Sequence, residues 1–172
     1  MPRLVLTVLG DDRAGLVEAL AETVTAHGGN WEQSQMAELA GQFAGIVVVS
    51  VPAEHADELR AALGGLDGLL DIAAHPGSEE PAGVEGWRRL RIDLVGSDHH
   101  GIVRDVSAVL ARHGLSIETM TTERRDAPMA GGQLFEAHIL VRVPPGGDPA
   151  DVRAELERVA SELFVDLTVD QD

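Results

Sequence analysis

The sequence predicts an α+β protein made of two copies of one βαββαβ unit. Each unit is expected to be a four-stranded antiparallel sheet with two helices on one face. Three observations carry that expectation. The chain repeats itself: LVLTVLGDDRAGLV (Leu4–Val17) lies over LRIDLVGSDHHGIV (Leu90–Val103) at a displacement of 86 residues. Short apolar runs alternate with segments of helical spacing in the same order in both halves. A stretch poor in apolar residues, PGSEEPAGVEG (Pro76–Gly86), divides the halves and reads as a linker. The expected organisation is a first domain at 1–75, a linker at 76–87 and a second domain at 88–172.

The elements follow in order. Leu4 to Leu9 is a short apolar run ending at Gly10, the pattern of a buried strand. Leu16, Ala19, Leu20, Thr23 and Val24 then recur at helical spacing, with Gly28 as a stop. Trp31 to Leu39 reads as extended and more polar. Gln42 to Val51 reads as a strand that Pro52 ends, because proline cannot donate to a ladder. Glu54 to Leu66 reads as a second helix and Leu69 to Ala74 as a last strand. The second half predicts a strand over 90–95, a helix over 102–113, strands over 115–125 and 133–143, a helix over 149–163 and a strand over 164–169.

The repeat extends beyond the opening match. His27-Gly28 meets His113-Gly114, and Glu32 meets Glu118. After an insertion near 126–132, Phe43 meets Phe135 and Val51-Pro52 meets Val143-Pro144. Strand–helix–strand crossovers are right-handed, and two of them interleaved give the ferredoxin-like split βαβ arrangement. Helices on one side leave the other sheet face bare, so exposed edges and faces invite pairing with another copy.

Composition limits the function classes. The net charge is −16, so nucleic acid would be repelled over most of the surface. The one dense basic spot is Arg88, Arg89 and Arg91, which reads as an exposed strand start balancing nearby acids. No cysteine is present, which removes disulfides and thiolate metal ligands and fits the cytoplasm. No apolar run approaches the ~18 residues that span a bilayer, and no secretory signal is evident. No direct nucleic-acid binding and no membrane association are therefore expected.

The chemistry concentrates in the turn after the first strand, G-x-D-x-x-G-[LI]-V in both halves. The first N–H groups of a helix lack intrahelical partners and point at whatever occupies that mouth. The helix dipole adds about half a positive charge there, which suits a carboxylate. Gly15 and Gly101 either allow a positive φ or allow something to approach the backbone. Asp12 and Asp98 either cap the helix or accept bonds from a guest's ammonium.

His99 and His100 admit three readings: metal ligands beside Asp98, catalytic groups, or an exposed loop that touches a ligand. The loop reading is preferred, because adjacent residues in one turn rarely both ligate one ion and the repeat places Arg13 and Ala14 opposite them. His27 and His113 stand at helix C-termini, where a cation suits the dipole. The seven serines lack a nucleophile-elbow setting, and neither a P-loop nor GxGxxG occurs. No catalytic residue and no cofactor is expected.

The pattern G-D-D-R-A-G-L-V, a helix, then H-G-G-N-W resembles the ACT domain, and two copies resemble a tandem ACT protein. The resemblance implies a non-enzymatic regulatory module. It would bind a small ligand, an amino acid, where the first loop of one domain faces the second strand of a paired domain. On this chain the implied site is Asp12, Gly15, Leu16, Val17 and Asn30 in one copy. In the other it is Asp98, Gly101, Ile102, Val103 and Ser116, with serine replacing the asparagine. Arg13 and His99 are loop neighbours that could add contacts. The resemblance also implies a homodimer, a regulatory protein partner and an indirect role in transcriptional control of amino-acid metabolism. The alternative is a small metal-dependent enzyme or metal-binding protein using Asp98, His99 and His100.

Overall fold

The structure is a computed structural model in which residues 1–78, 86–127 and 131–171 are described. The chain forms two compact units, Met1–Ala82 and Gly83–Asp172. The first holds β1 (Arg3–Asp11), α1 (Leu16–Ala26), β2 (Asn30–Leu39), β3 (Gln42–Ser50), α2 (Ala56–Gly64) and β4 (Asp71–Pro76). The second holds β5 (Arg88–Ser97), α3 (Ile102–Arg112), β6 (Ser116–Asp126), β7 (Gln133–Val143), α4 (Pro149–Leu163) and β8 (Val165–Gln171). The sheets have orders β2-β3-β1-β4 and β6-β7-β5-β8, with antiparallel neighbours throughout. Each unit is the expected ferredoxin-like βαββαβ fold. Of the expected linker, Pro76 closes β4, Gly77 donates its N–H to the Arg3 carbonyl (2.8 Å), and 79–85 lie outside the described residues.

Each sheet buries one face against its two helices. Leu4, Leu6 and Val8 alternate inward along β1 and meet Leu16, Leu20 and Val24 of α1. The helical residues are spaced by four, so they share one stripe. Leu20 is fully buried, and burial of a leucine side chain stabilises by about 1.5–3 kcal/mol.

Local chemistry explains where elements start. Asp148 accepts from the Ala150 N–H (2.8 Å) and Pro149 takes the first helical position, so α4 begins where the sequence predicts. The second helix lacks such a cap: its opening turn, Ala53–His55, is a 3-10 helix, and α2 proper runs only from Ala56 to Gly64. The last strand of each unit also starts later than the apolar run suggests. Leu70 is buried from the turn ahead of β4, and Phe164 ends α4 with φ 55 instead of opening β8.

Both outer strands carry a bulge at the same place. The register slips between Trp31 and Gln33 in β2, and between Ile117 and Thr119 in β6. The extra residues are Glu32 and Glu118, which the repeat aligns. Each turns back to an arginine on the first strand of its sheet: Arg3 Nε to Glu32 Oε2 and Arg89 Nε to Glu118 Oε2, both 2.9 Å.

Candidate functional site

Gly10 and Gly96 do not release the chain from the strand, as their position suggests; β1 and β5 run on past them. A Cβ on Gly10 would lie 2.7 Å from the Leu69 carbonyl oxygen, and one on Gly96 would lie 2.5 Å from the Val165 side chain. These glycines let the neighbouring chain close in. The turn is then fixed by its backbone: Asp12 N–H donates to the Gly41 carbonyl (2.9 Å), and Asp98 N–H donates to that of Gln133 (2.8 Å). Gly15 and Gly101 follow at φ 91 and φ 99 as the N-cap residues of α1 and α3. The left-handed conformation strongly favours glycine there. Added side-chain atoms at Gly15 would meet nothing within 4 Å, so the requirement is conformational.

Neither helix N-terminus has a side-chain cap. The cap reading of Asp12 and Asp98 is thereby removed, and the first-turn N–H groups face the mouth. Leu16 and Ile102 are core residues at 2% exposure, so only their backbone can reach a guest. Val17 and Val103, at 45% and 41%, present apolar surface on the first turn.

Arg13 and His99 occupy the same place in the repeat and do the same work with different atoms. Arg13 donates to the Gly68 carbonyl (2.8 Å), and His99 Nε2 lies 2.9 Å from that of Leu163. Each ties the first loop to the chain leaving the second helix. His99 is pushed above the ordinary histidine range, chiefly by the Leu163 carbonyl, then by that of His100, with smaller pulls from Asp98 and Asp105. Among the described residues no group of three or more His, Asp or Glu is placed to hold a metal ion. His27 Nδ1 lies 2.8 Å from the Thr23 carbonyl, in keeping with a C-terminal cap. His113 is the C-cap residue of α3, and its Nε2 also meets Glu155 Oε2 on α4 (2.6 Å).

The mouths also differ at a residue outside the repeated motif. In the second unit Arg124, on β6, places Nε 2.7 Å from Asp98 Oδ2. Glu38 holds the equivalent place in the first unit, and its carboxylate accepts from the Gly41 N–H (2.6 Å). Asp12 has no salt bridge among the described residues. The displacement of 86 sets Glu38 against Arg124, and that charge reversal is the signal that could have found them.

Asn30 and Ser116 open β2 and β6 and pair with Ser50 and Arg142. Ser50 also pairs with Arg3, whereas the mouth follows Asp11. Eight residues of β1 separate the two, about 26 Å at strand rise. Within a unit, therefore, Asn30 and its own mouth stand at opposite ends of the sheet.

Two split βαβ units, each with an uncapped helix mouth, define a duplicated ferredoxin-like protein. The family model described as the ACT domain matches residues 2–75, which is the first unit. Similarity runs the length of the chain in three comparisons. The glycine cleavage system transcriptional repressor of Escherichia coli (strain K12) is 25% identical over 167 residues, covering 93% of this chain and 85% of its own. The crystal structure of an unknown protein from Galdieria sulphuraria is 32% identical with a TM-score of 0.89, covering 99% and 98% of the two chains. A crystal structure of a candidate glycine cleavage system transcriptional repressor shares the fold at 17% identity and a TM-score of 0.70, covering 99% and 97%. No helix among the described residues is long and apolar enough to cross a membrane.

Proposed function

We propose that this chain is a non-enzymatic, cytoplasmic sensor that binds an amino acid and reports its level to a protein partner. The observation that carries the reading is the first unit's mouth: an uncapped α1 turn behind Gly15, beside an Asp12 carboxylate that forms no salt bridge among the described residues. The main-chain N–H groups suit a carboxylate, and Asp12 suits an ammonium. Both charges of a zwitterion are then met, which offsets the large cost of taking them out of water. Asn30 and Ser116 join such a site only where another ACT unit brings its second strand to a mouth.

The ligand would act by favouring one arrangement of paired ACT units over another, by no more than its difference in affinity for the two. The relatedness to a glycine cleavage system transcriptional repressor supports a role in control of amino-acid metabolism. Direct contact with DNA is not part of the reading. At the basic spot Arg88 is spent on the Gly147 carbonyl and Arg89 on Glu118.

Thermal-shift measurements on the full chain with each of the twenty amino acids test the proposal. One amino acid, or a few related ones, is expected to raise the melting temperature progressively with concentration, as mass action requires. A flat response to all of them up to about 10 mM, far above a working sensor's dissociation constant, would dispose of it.

A further inference from the structure

The open faces of the two sheets have diverged. Register places Val5, Thr7 and Leu9 of β1 beside Val48, Ile46 and Ala44 of β3 on the face away from the helices. Ile46 is 53% exposed and Leu9 48%. Titratable groups on this face stand only at strand ends: Arg3 and Asp11 on β1, Asp71 and His75 on β4. Arg3 is neutralised by Glu32, and Asp11 accepts from the Gln42 amide (2.7 Å).

The sister face is charged at its centre. Arg91 and Asp93 replace Val5 and Thr7; Glu136 and His138 replace Ala44 and Ile46. Its charges are met across the strands. His138 Nδ1 lies 2.5 Å from Asp93 Oδ1, and Arg125 is paired with Glu136. One face thus pairs charges at its centre, and the other carries none there. The apolar centre of the first face does not follow from the fold, because the same fold carries ions in the other copy.

We propose that the open face of the first unit is the surface on which a second copy of this chain docks, meeting the same face about a two-fold axis. Two features select a copy of itself as the occupant. With a net charge of −16, most approaches between two copies bring like charges together. The uncharged centre around Ile46 is a place where they need not, and an isologous contact sets it against itself. The size also suits. Four strands about 4.8 Å apart and about 25 Å long make a face of roughly 480 Å². Two such faces bury close to the ~1,000 Å² that a specific interface needs. The sheets would stack about 10 Å apart, with Ile46 and Val48 in the middle layer.

Sedimentation velocity on the full chain, with circular dichroism alongside, tests the assignment. The wild type is expected to sediment as a dimer at about 100 µM, a concentration that even a weak micromolar interface populates. Ile46→Glu is expected to sediment as a monomer with an unchanged spectrum. The double variant Thr7→Asp, Ile46→His installs the pair that the second sheet already folds around; it too is expected to be a folded monomer. A wild type that is monomeric at that concentration, or a dimer that survives the double variant, overturns the proposal.

Discussion

Arg124 Nε lies 2.7 Å from Asp98 Oδ2, and the residue in Arg124's place in the first unit is Glu38. Two copies of one turn have thereby acquired opposite electrostatics. In the second unit the carboxylate at the mouth is already neutralised. In the first it has no salt bridge among the described residues, near a hairpin whose own side chain is acidic. On the proposed function, a guest ammonium would gain at Asp12 and would have to displace an arginine at Asp98.

Asp12→Asn is therefore expected to weaken amino-acid binding about 10- to 100-fold, the value of a hydrogen bond to a charged group. Asp98→Asn is expected to leave the affinity within about 2-fold, since its partner is intramolecular. Isothermal titration of both variants checks the pair, and the reverse ranking would move the ligand to the second mouth.

Gly15→Ala is expected to destabilise the chain by about 1–2 kcal/mol through φ alone, because open space surrounds the site. Gly10→Ala is expected to cost more, about 2–3 kcal/mol, because the new methyl meets a backbone oxygen at 2.7 Å that cannot rotate away. Urea unfolding distinguishes the two. Equal midpoints would mean that β4 shifts freely to admit the methyl.

Phe164→Gly runs the other way. Phe164 closes α4 in the left-handed conformation with its ring 87% exposed, so little packing is lost and a strained φ is relieved. A gain of about 1 kcal/mol is expected in the same measurement.

His99 sets a pH dependence. Its pKa is raised in the folded chain because the charged ring donates to the Leu163 carbonyl and sits near Asp98 and Asp105. The stabilisation is then complete below the unfolded value of about 6.5 and is lost as pH rises through the higher folded value. Between about pH 6 and pH 8 the wild type is expected to lose melting temperature relative to His99→Gln. Parallel curves for the two proteins would show that the strap carries no proton-linked stability.

Much of the fold is legible in the sequence because the signals are local. Asp148-Pro149 marks the start of α4, and β3 ends at Ser50, one residue short of the run over 42–51 that Pro52 closes. Where the cue is weak, the reading slips. The opening turn of the second helix lacks a cap and tightens to 3-10, and Phe164 has the composition of a strand residue but the conformation of a helix stop. The glycine mouths were visible as a repeated motif. Their electrostatics were not, since Asp98 and Arg124 are 26 positions apart and meet only through the β6–β7–β5 register.

The sequence by itself determined the kind and order of the elements, the duplication and the place of the two mouths, because periodicity, glycine and proline act over a few residues. Only the tertiary structure decided which of the two mouth carboxylates has an arginine beside it, that Asn30 lies at the far end of its own sheet from Gly15, and that one open face is apolar at its centre where its sister is ionic. Each depends on which residues a strand register sets side by side, and register is fixed by the packing of whole faces against a core.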